Sequence, residues 1–146
     1  MPTSKDKPLT FMSTATARYL GQLRTEVTHV ASGNVIQTDA PTDNHGRGET
    51  FSPTDLVCVA LGSCIVTTMG IVATRHELDL AESTYAVTKY MSTEGKRRIA
   101  RIEVVLRLPA SLSATHRALL ERTAHTCPVG LSLHPDVQQD VRFEYV

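Results

Sequence analysis

Alternating apolar and polar residues predict strands in both halves of the chain. In the segment Ile99 to Leu108 the apolar side chains alternate from Ile102 onward, and Pro109 ends the pattern. Segments rich in β-branched and aromatic residues predict further extended structure at 15–30, 35–38, 83–91 and 137–145. After the segment at 35–38, the stretch Asp39 to Thr50 combines Pro, Gly, Asn and Asp, which predicts a long polar loop.

A long apolar run from Leu56 to Ala73 follows a typical helix start. Pro53 suits the first helical position, Ser52 precedes it as an N-cap, and Asp55 lies in the first turn, where the helix dipole favours an acid. The run contains Cys, Ser, Thr and Gly, so a largely buried core helix explains it better than a membrane span. A second, amphipathic helix is predicted from Ser113 to Thr126.

The order of these elements predicts an α+β protein. Strands arrive in pairs joined by short turns, which favours mainly antiparallel sheets. We expect these sheets around a long central helix bearing Cys64, with a second helix pair bearing Cys127. The length of 146 residues suits one core, so we predict a single domain at 15–146. We predict that residues 1–14 form a flexible N-terminal arm before it.

Composition and charge narrow the functional classes. Basic and acidic residues balance at 15 each, and the densest basic cluster is the short stretch Lys96 to Arg101, so we expect no nucleic-acid partner. The first ten residues are polar and lack the apolar core of a secretory signal, which predicts a cytoplasmic protein with no membrane association. In that reducing compartment, none of the three cysteines is expected to form a permanent structural disulfide.

The three cysteines differ in their settings. Cys58 lies about 240° around the helix from Cys64, and we interpret it as part of the core. Cys64 follows Gly62 inside a helix, where glycine costs about 1 kcal/mol relative to alanine, so a close neighbour is expected there. Cys127 precedes Pro128, which predicts a thiol at a helix N-terminus with a lowered pKa. Core packing remains the alternative for Cys64 and Cys127.

A metal site is the other common use of Cys with His. His125, Cys127 and His134 are close in the sequence, yet their spacing matches no familiar zinc motif. We therefore expect neither a metal nor another cofactor.

Two segments resemble the motifs of the OsmC/Ohr family. The helix start from Ser52 to Cys64 (SPTDLVCVALGSC) is similar to the family's first motif, and Ala124 to Val129 (AHTCPV) is similar to its second. The separation of 63 residues between the two cysteines is also typical of the family. The order of predicted strands resembles the family's over residues 15–146, so we expect a single OsmC-like domain there.

The resemblance implies a thiol peroxidase that acts in oxidative-stress defence. It implies reduction of organic hydroperoxides, and less efficiently of hydrogen peroxide, by an intertwined homodimer with active sites at the subunit interface. By the resemblance, Cys64 is the thiolate that attacks the peroxide and becomes a sulfenic acid, and Cys127 is the thiol that resolves it to a disulfide. A dithiol, either a small molecule or a lipoylated protein, then reduces the bridge.

Family members support the thiolate with an arginine that is oriented by a glutamate in the first turn of the cysteine helix. The best candidate for the arginine is Arg24, with Arg18 and Arg47 as alternatives. The family's glutamate position holds Thr54, so Asp55 or Glu49 is the candidate carboxylate.

A displaced carboxylate alters the geometry of the arginine, which points to the general OsmC-like branch. The alternative hypothesis is therefore an OsmC-like binding or redox-sensing protein with little peroxidase turnover. A structural fold with core cysteines is the third and weakest hypothesis.

Overall fold

The computed structural model describes residues 13–146, so most of the predicted arm at 1–14 lies outside the described residues. The chain divides into two compact units, one ending at Pro53 and the other running from Thr54 to Val146. Each unit is described by itself below, and a single domain over 15–146 stays a prediction. The fold is α+β, as the sequence predicts.

The first unit is an antiparallel sheet of three strands in the order β1-β2-β3. Its strands are β1 (Ala15–Gly21), β2 (Arg24–His29) and β3 (Val35–Asp39). The extended segment predicted at 15–30 is thus two strands joined by a tight turn, in which Gly21, Gln22 and Leu23 have positive φ angles of 82°, 54° and 64°. Gln and Leu rarely adopt this backbone conformation, so the sequence carries no ordinary turn signal there.

The second unit combines helices with a second sheet of three strands in the order β4-β5-β6. A long helix, α1 (Pro53–Arg75), begins at the predicted proline and enters this unit at Thr54. The elements that follow are β4 (Thr84–Met91), β5 (Ile99–Leu108), α2 (Ala114–Ala124), α3 (Pro128–Ser132) and β6 (Gln138–Tyr145). The predicted cap of α2 is confirmed, because the His116 N–H donates to Ser113 Oγ at 3.2 Å.

One strand pairing differs from the expectation of paired antiparallel strands. Among the strands of residues 13–146, β4 is antiparallel to β5, whereas β6 runs parallel to β5. The reason is the connection between β5 and β6, which contains both α2 and α3. A crossover of this length returns the chain to the end of the sheet where it started, and the next strand then runs parallel. Hydrophobic alternation alone does not reveal strand direction.

The core of the second unit is built mainly from one face of α1 and the strand β5, and Leu112, Leu120, Ala124 and Cys127 complete it. Its fully buried side chains recur every three or four residues on α1 and every second residue on β5. They are Cys58, Leu61, Ile65, Met69 and Ala73 on α1, and Ile102, Val104, Leu106 and Leu108 on β5.

The buried face of α1 is narrower than the sequence predicts, since Ile71 on another face is 53% exposed. By length and composition α1 could also cross a membrane, but a core helix of a soluble protein passes the same test.

Candidate functional site

The structure brings Cys64 and Cys127 together. Cys64 lies in the interior of α1 and is partly exposed, whereas Cys127 lies between α2 and α3 and is 1% exposed. The two side chains are close enough for Cys64 to raise the pKa of Cys127 through a side-chain hydrogen bond and through its charge, and both are free thiols. Cys64 and Cys127 are therefore neighbours, which a disulfide between them requires.

Cys127 is the N-cap of the short helix α3. Pro128 occupies the first helical position, as the sequence predicts, and the Gly130 N–H donates to Cys127 Sγ at 3.3 Å. A Cβ added at Gly130 would lie 3.2 Å from that sulfur and 3.0 Å from Oε1 of Gln139. The Gln139 amide in turn donates to the Gly130 carbonyl at 2.9 Å, so strand β6 holds the first turn of α3 against the thiol.

The pKa of Cys127 is raised above its ordinary value, contrary to the lowering predicted from its place at a helix N-terminus. The largest cause is burial, which penalises the thiolate. Backbone N–H groups of Gly130 and Val129 lower the pKa, while the hydrogen bond to Cys64 and the charge of that group raise it. The helix N-terminus is present, but desolvation outweighs it, so the Cys127 thiol stays protonated.

Cys58 is confirmed as part of the core. It is 1% exposed on the buried face of α1, away from the partly exposed face that carries Cys64. Burial raises the pKa of the Cys58 thiol, and the nearby Lys89 ammonium only partly opposes this effect. An inert, protonated thiol is the expected state of such a residue.

The close neighbour expected at Gly62 is Tyr85. A Cβ on Gly62 would lie 2.5 Å from the Tyr85 ring and 3.1 Å from Val87 Cγ1, so only glycine fits without a shift. The Tyr85 hydroxyl is hydrogen-bonded to Ser63 Oγ at 2.5 Å. The ring thus fixes the helical turn that leads to Cys64, and no local sequence pattern indicates which residue would do so.

Arg24 lies in a cluster of carboxylates within the first unit. Its Nε and Nη2 atoms donate to both carboxylate oxygens of Asp39, at 2.7 and 2.8 Å, and Nη2 also donates to Glu49 Oε2 at 2.7 Å. Asp39 is 1% exposed and also accepts the Glu49 N–H at 3.1 Å. The arginine's hydrogen bonds lower the pKa of Asp39, and the two acids raise the pKa of Arg24.

Asp39 is the residue of this cluster that the sequence reasoning missed. Its one available signal was an acid at the end of a strand, directly before the loop that contains Glu49. Of the alternative arginines, Arg18 forms an exposed pair with Glu26 at 3.4 Å, and Arg47 acts on Asp39 through its charge.

Asp55, the other candidate carboxylate, belongs to a separate contact within the second unit. Lys89 Nζ lies 2.7 Å from Asp55 Oδ1 and 3.0 Å from Thr54 Oγ1. The first turn of α1 is therefore bonded to a lysine on β4. Of the two candidate carboxylates, the one bonded to Arg24 is Glu49. Within residues 13–146, no group of three His, Cys, Asp or Glu side chains could hold a metal ion.

The sequence profile of OsmC-like proteins matches residues 46–142, which is about two thirds of the chain. The chain belongs to the OsmC family. A similar crystal structure is that of a Psychrobacter arcticus protein, provisionally named an osmotic stress induced and detoxification response protein. It is 42% identical to this OsmC-like protein, the alignment covers 91% of this chain and 96% of that one, and the TM-score is 0.86.

More distant structures share the fold of this OsmC-like protein. The organic hydroperoxide resistance protein OsmC of Legionella pneumophila is 16% identical over 94% of this chain and 99% of its own, with a TM-score of 0.72. The OsmC-like protein of Mycoplasma pneumoniae is 17% identical over 90% of this chain and 95% of its own, with a TM-score of 0.74. No curated protein sequence matches significantly. Membership of this family suggests a redox or peroxide-related function.

Proposed function

We propose that this protein is a cytoplasmic thiol peroxidase that reduces organic hydroperoxides through Cys64 and Cys127. The observation that carries the proposal is the pairing of a partly exposed thiol with a buried, protonated one, in hydrogen-bonding contact and at the positions of the family's two motifs. A peroxide can reach only a sulfur with some exposure, which favours Cys64 as the attacking group. Cys127 is then placed to act second.

In the first step the Cys64 thiolate attacks one oxygen of the hydroperoxide and the O–O bond breaks. The sulfur is oxidised to the sulfenic acid, Cys64–SOH, while the leaving alkoxide takes up a proton and departs as the alcohol. The Cys127 thiol lies beside Cys64 at this stage. Because its pKa is raised, Cys127 stays protonated and does not add a second negative charge beside the thiolate.

In the second step Cys127 attacks the sulfenic sulfur, an S–S bond forms, and the S–O bond breaks. The proton of the Cys127 thiol leaves with the hydroxyl group as water. Because the pKa of Cys127 is raised, the thiol still carries the proton that this step needs. An external dithiol then attacks the disulfide, restores both cysteine thiols, and leaves as its own disulfide. The dithiol should attack the Cys64 sulfur of the disulfide rather than the Cys127 sulfur, because Cys127 is buried.

The parts of Arg24 and of a second subunit are proposed from the family resemblance. Arg24 supports the thiolate, and the two carboxylates that hold its guanidinium, Asp39 and Glu49, fix its orientation. A homodimer with its active sites at the subunit interface is proposed on the same ground. Replacing Arg24 with Lys keeps the charge but loses the two-point contact with Asp39, so peroxide reactivity should fall although the positive charge remains.

The test is a thiol count after treatment with peroxide. Reduced protein receives one equivalent of cumene hydroperoxide, and the remaining thiols are titrated under denaturing conditions. The wild type should lose two of its three thiols. Cys64→Ser should lose none, and Cys127→Ser should lose only one. The matched control is Cys58→Ser, which removes the core thiol and should still lose two. Survival of all three wild-type thiols in excess peroxide would refute the proposal.

A second candidate function is an OsmC-like binding or redox-sensing protein with little turnover. The burial of Cys127 favours it, because half of the resulting disulfide would be hidden from a reductant. The two functions differ in recycling. If the disulfide forms but neither dithiothreitol nor dihydrolipoamide supports repeated consumption of peroxide, the protein is a sensor rather than a peroxidase.

A further inference from the structure

The helix that follows Cys127 is short and has little packing of its own. α3 contains five residues, none of which is fully buried, and Leu131 is 74% exposed. Val129 is the residue of α3 that packs against the core. Because a helix of this length is not stable by itself in water, the position of the Cys127 sulfur depends on contacts that other elements make with α3.

Strand β6 makes such a contact through a glutamine on its inner face. The β6 residues that pair with the buried residues of β5 point to the same face of the sheet. They are Gln139, Val141, Phe143 and Tyr145, opposite Ile102, Val104, Leu106 and Leu108. The last three of the β6 residues pack against the core, whereas Gln139 is polar and exposed. A polar side chain in an otherwise apolar row indicates a role other than packing.

The amide group of Gln139 lies against Gly130. Its Nε2 atom donates to the Gly130 carbonyl at 2.9 Å, and its Oε1 atom lies 3.0 Å from the position that a Cβ on Gly130 would take. The Gly130 N–H donates to Cys127 Sγ at 3.3 Å. Gly130 is therefore held between the Gln139 amide and the sulfur, and a shift of Gly130 would move the N–H away from Cys127.

Disulfide formation depends on this arrangement more than the first step does. In the second step of the proposed reaction, Cys127 must approach the oxidised sulfur of Cys64 while negative charge develops on its own sulfur. The backbone N–H of Gly130 favours that charge, since it lowers the pKa of Cys127. Reacting groups that are held in place before the reaction meet a lower barrier. The first step takes place on Cys64 in α1 and does not require α3.

We propose that Gln139 is a positioning residue, which holds Cys127 in place for its attack on the oxidised sulfur of Cys64. The inference rests on the proposed peroxidase function and deepens its second step. Gln139 acts through Gly130 and not on the reacting atoms. A fast second step also protects Cys64, because a sulfenic acid that persists reacts with another hydroperoxide to give the sulfinic acid and a second molecule of alcohol.

The test measures the two steps separately in Gln139→Met, which keeps the length of the side chain but cannot donate a hydrogen bond. Reduced protein is mixed with cumene hydroperoxide and quenched with acid, and the thiol, sulfenic and disulfide forms are quantified by mass spectrometry. Loss of the Cys64 thiol should keep the wild-type rate. Disulfide formation should slow by about two- to tenfold, the range that the loss of one hydrogen bond allows.

Overoxidation gives a second readout of the same step. The sulfenic acid of Cys64 either forms the disulfide or reacts with more peroxide, so the outcome depends on the ratio of the two rates. The peroxide concentration that converts half of Cys64 to the sulfinic acid should therefore fall in Gln139→Met by the same factor as the rate of disulfide formation. A general loss of stability would not produce two matching factors.

The matched control is Gln138→Met, because Gln138 pairs with Arg101 and points to the outer face of the sheet. It should keep the wild-type values in both readouts. Gln139→Glu keeps the size of the side chain, but its carboxylate cannot donate to the Gly130 carbonyl, so it should also slow disulfide formation. The inference fails if Gln139→Met forms the disulfide as fast as wild type, or if both steps slow equally.

An oxidant that is not a peroxide separates this inference from the peroxidase proposal. Diamide adds to one thiol, whose proton goes to nitrogen, and the second thiol then displaces the hydrazine and forms the S–S bond. Excess diamide should modify Cys64 first, because Cys127 is buried. Slower bridge formation in Gln139→Met supports the positioning role even if no hydroperoxide oxidises the thiols, in which case the peroxidase proposal alone fails. Equal rates in wild type and Gln139→Met with both oxidants overturn the positioning role and leave the peroxidase intact.

Discussion

Because Tyr85 lies so close to Gly62, adding one methyl group at Gly62 tests the packing of the two residues directly. Gly62→Ala places a Cβ 2.5 Å from the Tyr85 ring, a distance that real Cβ atoms essentially never show. The ring has little freedom to move away, because its hydroxyl is bonded to Ser63. Gly70, eight residues further along the same helix, has no atom within 4 Å of the corresponding position among the described residues. Gly70→Ala is therefore the matched control.

The two substitutions should change stability in opposite directions. Alanine is favoured over glycine in a helix interior by about 1 kcal/mol, and Gly70→Ala should gain up to this amount. At Gly62 the same gain is opposed by overpacking, which costs about 1–3 kcal/mol. Displacement of Tyr85 would also lose its hydrogen bond to Ser63, worth about 1 kcal/mol. Gly62→Ala should therefore destabilise the protein by about 1–3 kcal/mol.

Urea denaturation of the reduced protein at constant concentration measures both values, and thermal melting should shift by about 2–4 °C per kcal/mol for a chain of this size. In a Tyr85→Ala background the loss at Gly62 should largely disappear, because the ring that blocks the Cβ is gone. Equal shifts of the same sign for Gly62→Ala and Gly70→Ala would show that the close approach of Tyr85 does not control this helix.

Three further predictions concern the thiol pair and the arginine cluster. The folded pKa of Cys127 is raised, so the stability that the protonated Cys127 thiol contributes is complete below the ordinary thiol pKa and is lost as pH rises through the folded value. Between pH 8 and 10 the Tm of wild type should therefore fall more than that of Cys127→Ala. Parallel curves of Tm against pH would contradict this prediction. Asp39 has a lowered pKa, so its contribution to stability is present at neutral pH and is lost as pH falls through the folded value. Asp39→Asn should therefore lower the Tm at pH 7 but much less at pH 3. The same difference in Tm at both pH values would count against the pair with Arg24. Gly130→Ala puts a Cβ 3.2 Å from the Cys127 sulfur, so disulfide formation after one equivalent of peroxide should slow severalfold, and an unchanged rate would exclude a tight fit there.

The sequence predicted the regular elements well where one local signal dominated. Pro53 and Ser113 mark the starts of α1 and α2, and the alternation in β5 gave its limits correctly. The β1–β2 turn was missed because Gln22 and Leu23 are poor turn residues, and their conformation is imposed by the strand pairing around them. The parallel direction of β6 was missed because direction depends on the path of the connection and not on hydrophobicity.

The sequence predicted which kinds of residue form the candidate site better than it predicted their contacts and pKa values. Glycine beside Cys64 correctly indicated a close neighbour, but Tyr85 comes from a strand more than twenty residues away, and side-chain contacts at that separation leave no local pattern. The pKa of Cys127 was predicted in the wrong direction, because a helix N-terminus is visible in the sequence whereas the extent of burial is not. Asp39 was missed for the same reason, since an acid after a strand is usually solvated.

The spacing of the two cysteines has a consequence for the unfolded chain. Oxidation would tie Cys64 to Cys127 across 63 residues, enclosing β4, β5 and α2 in one covalent loop. By the chain-entropy relation, closing a loop of that length removes about 4 kcal/mol of freedom from the denatured state. The protein oxidised by peroxide to the disulfide would therefore resist unfolding and proteolysis better than the reduced protein. The oxidation state of the pair would set how long the protein survives as well as what it can react with.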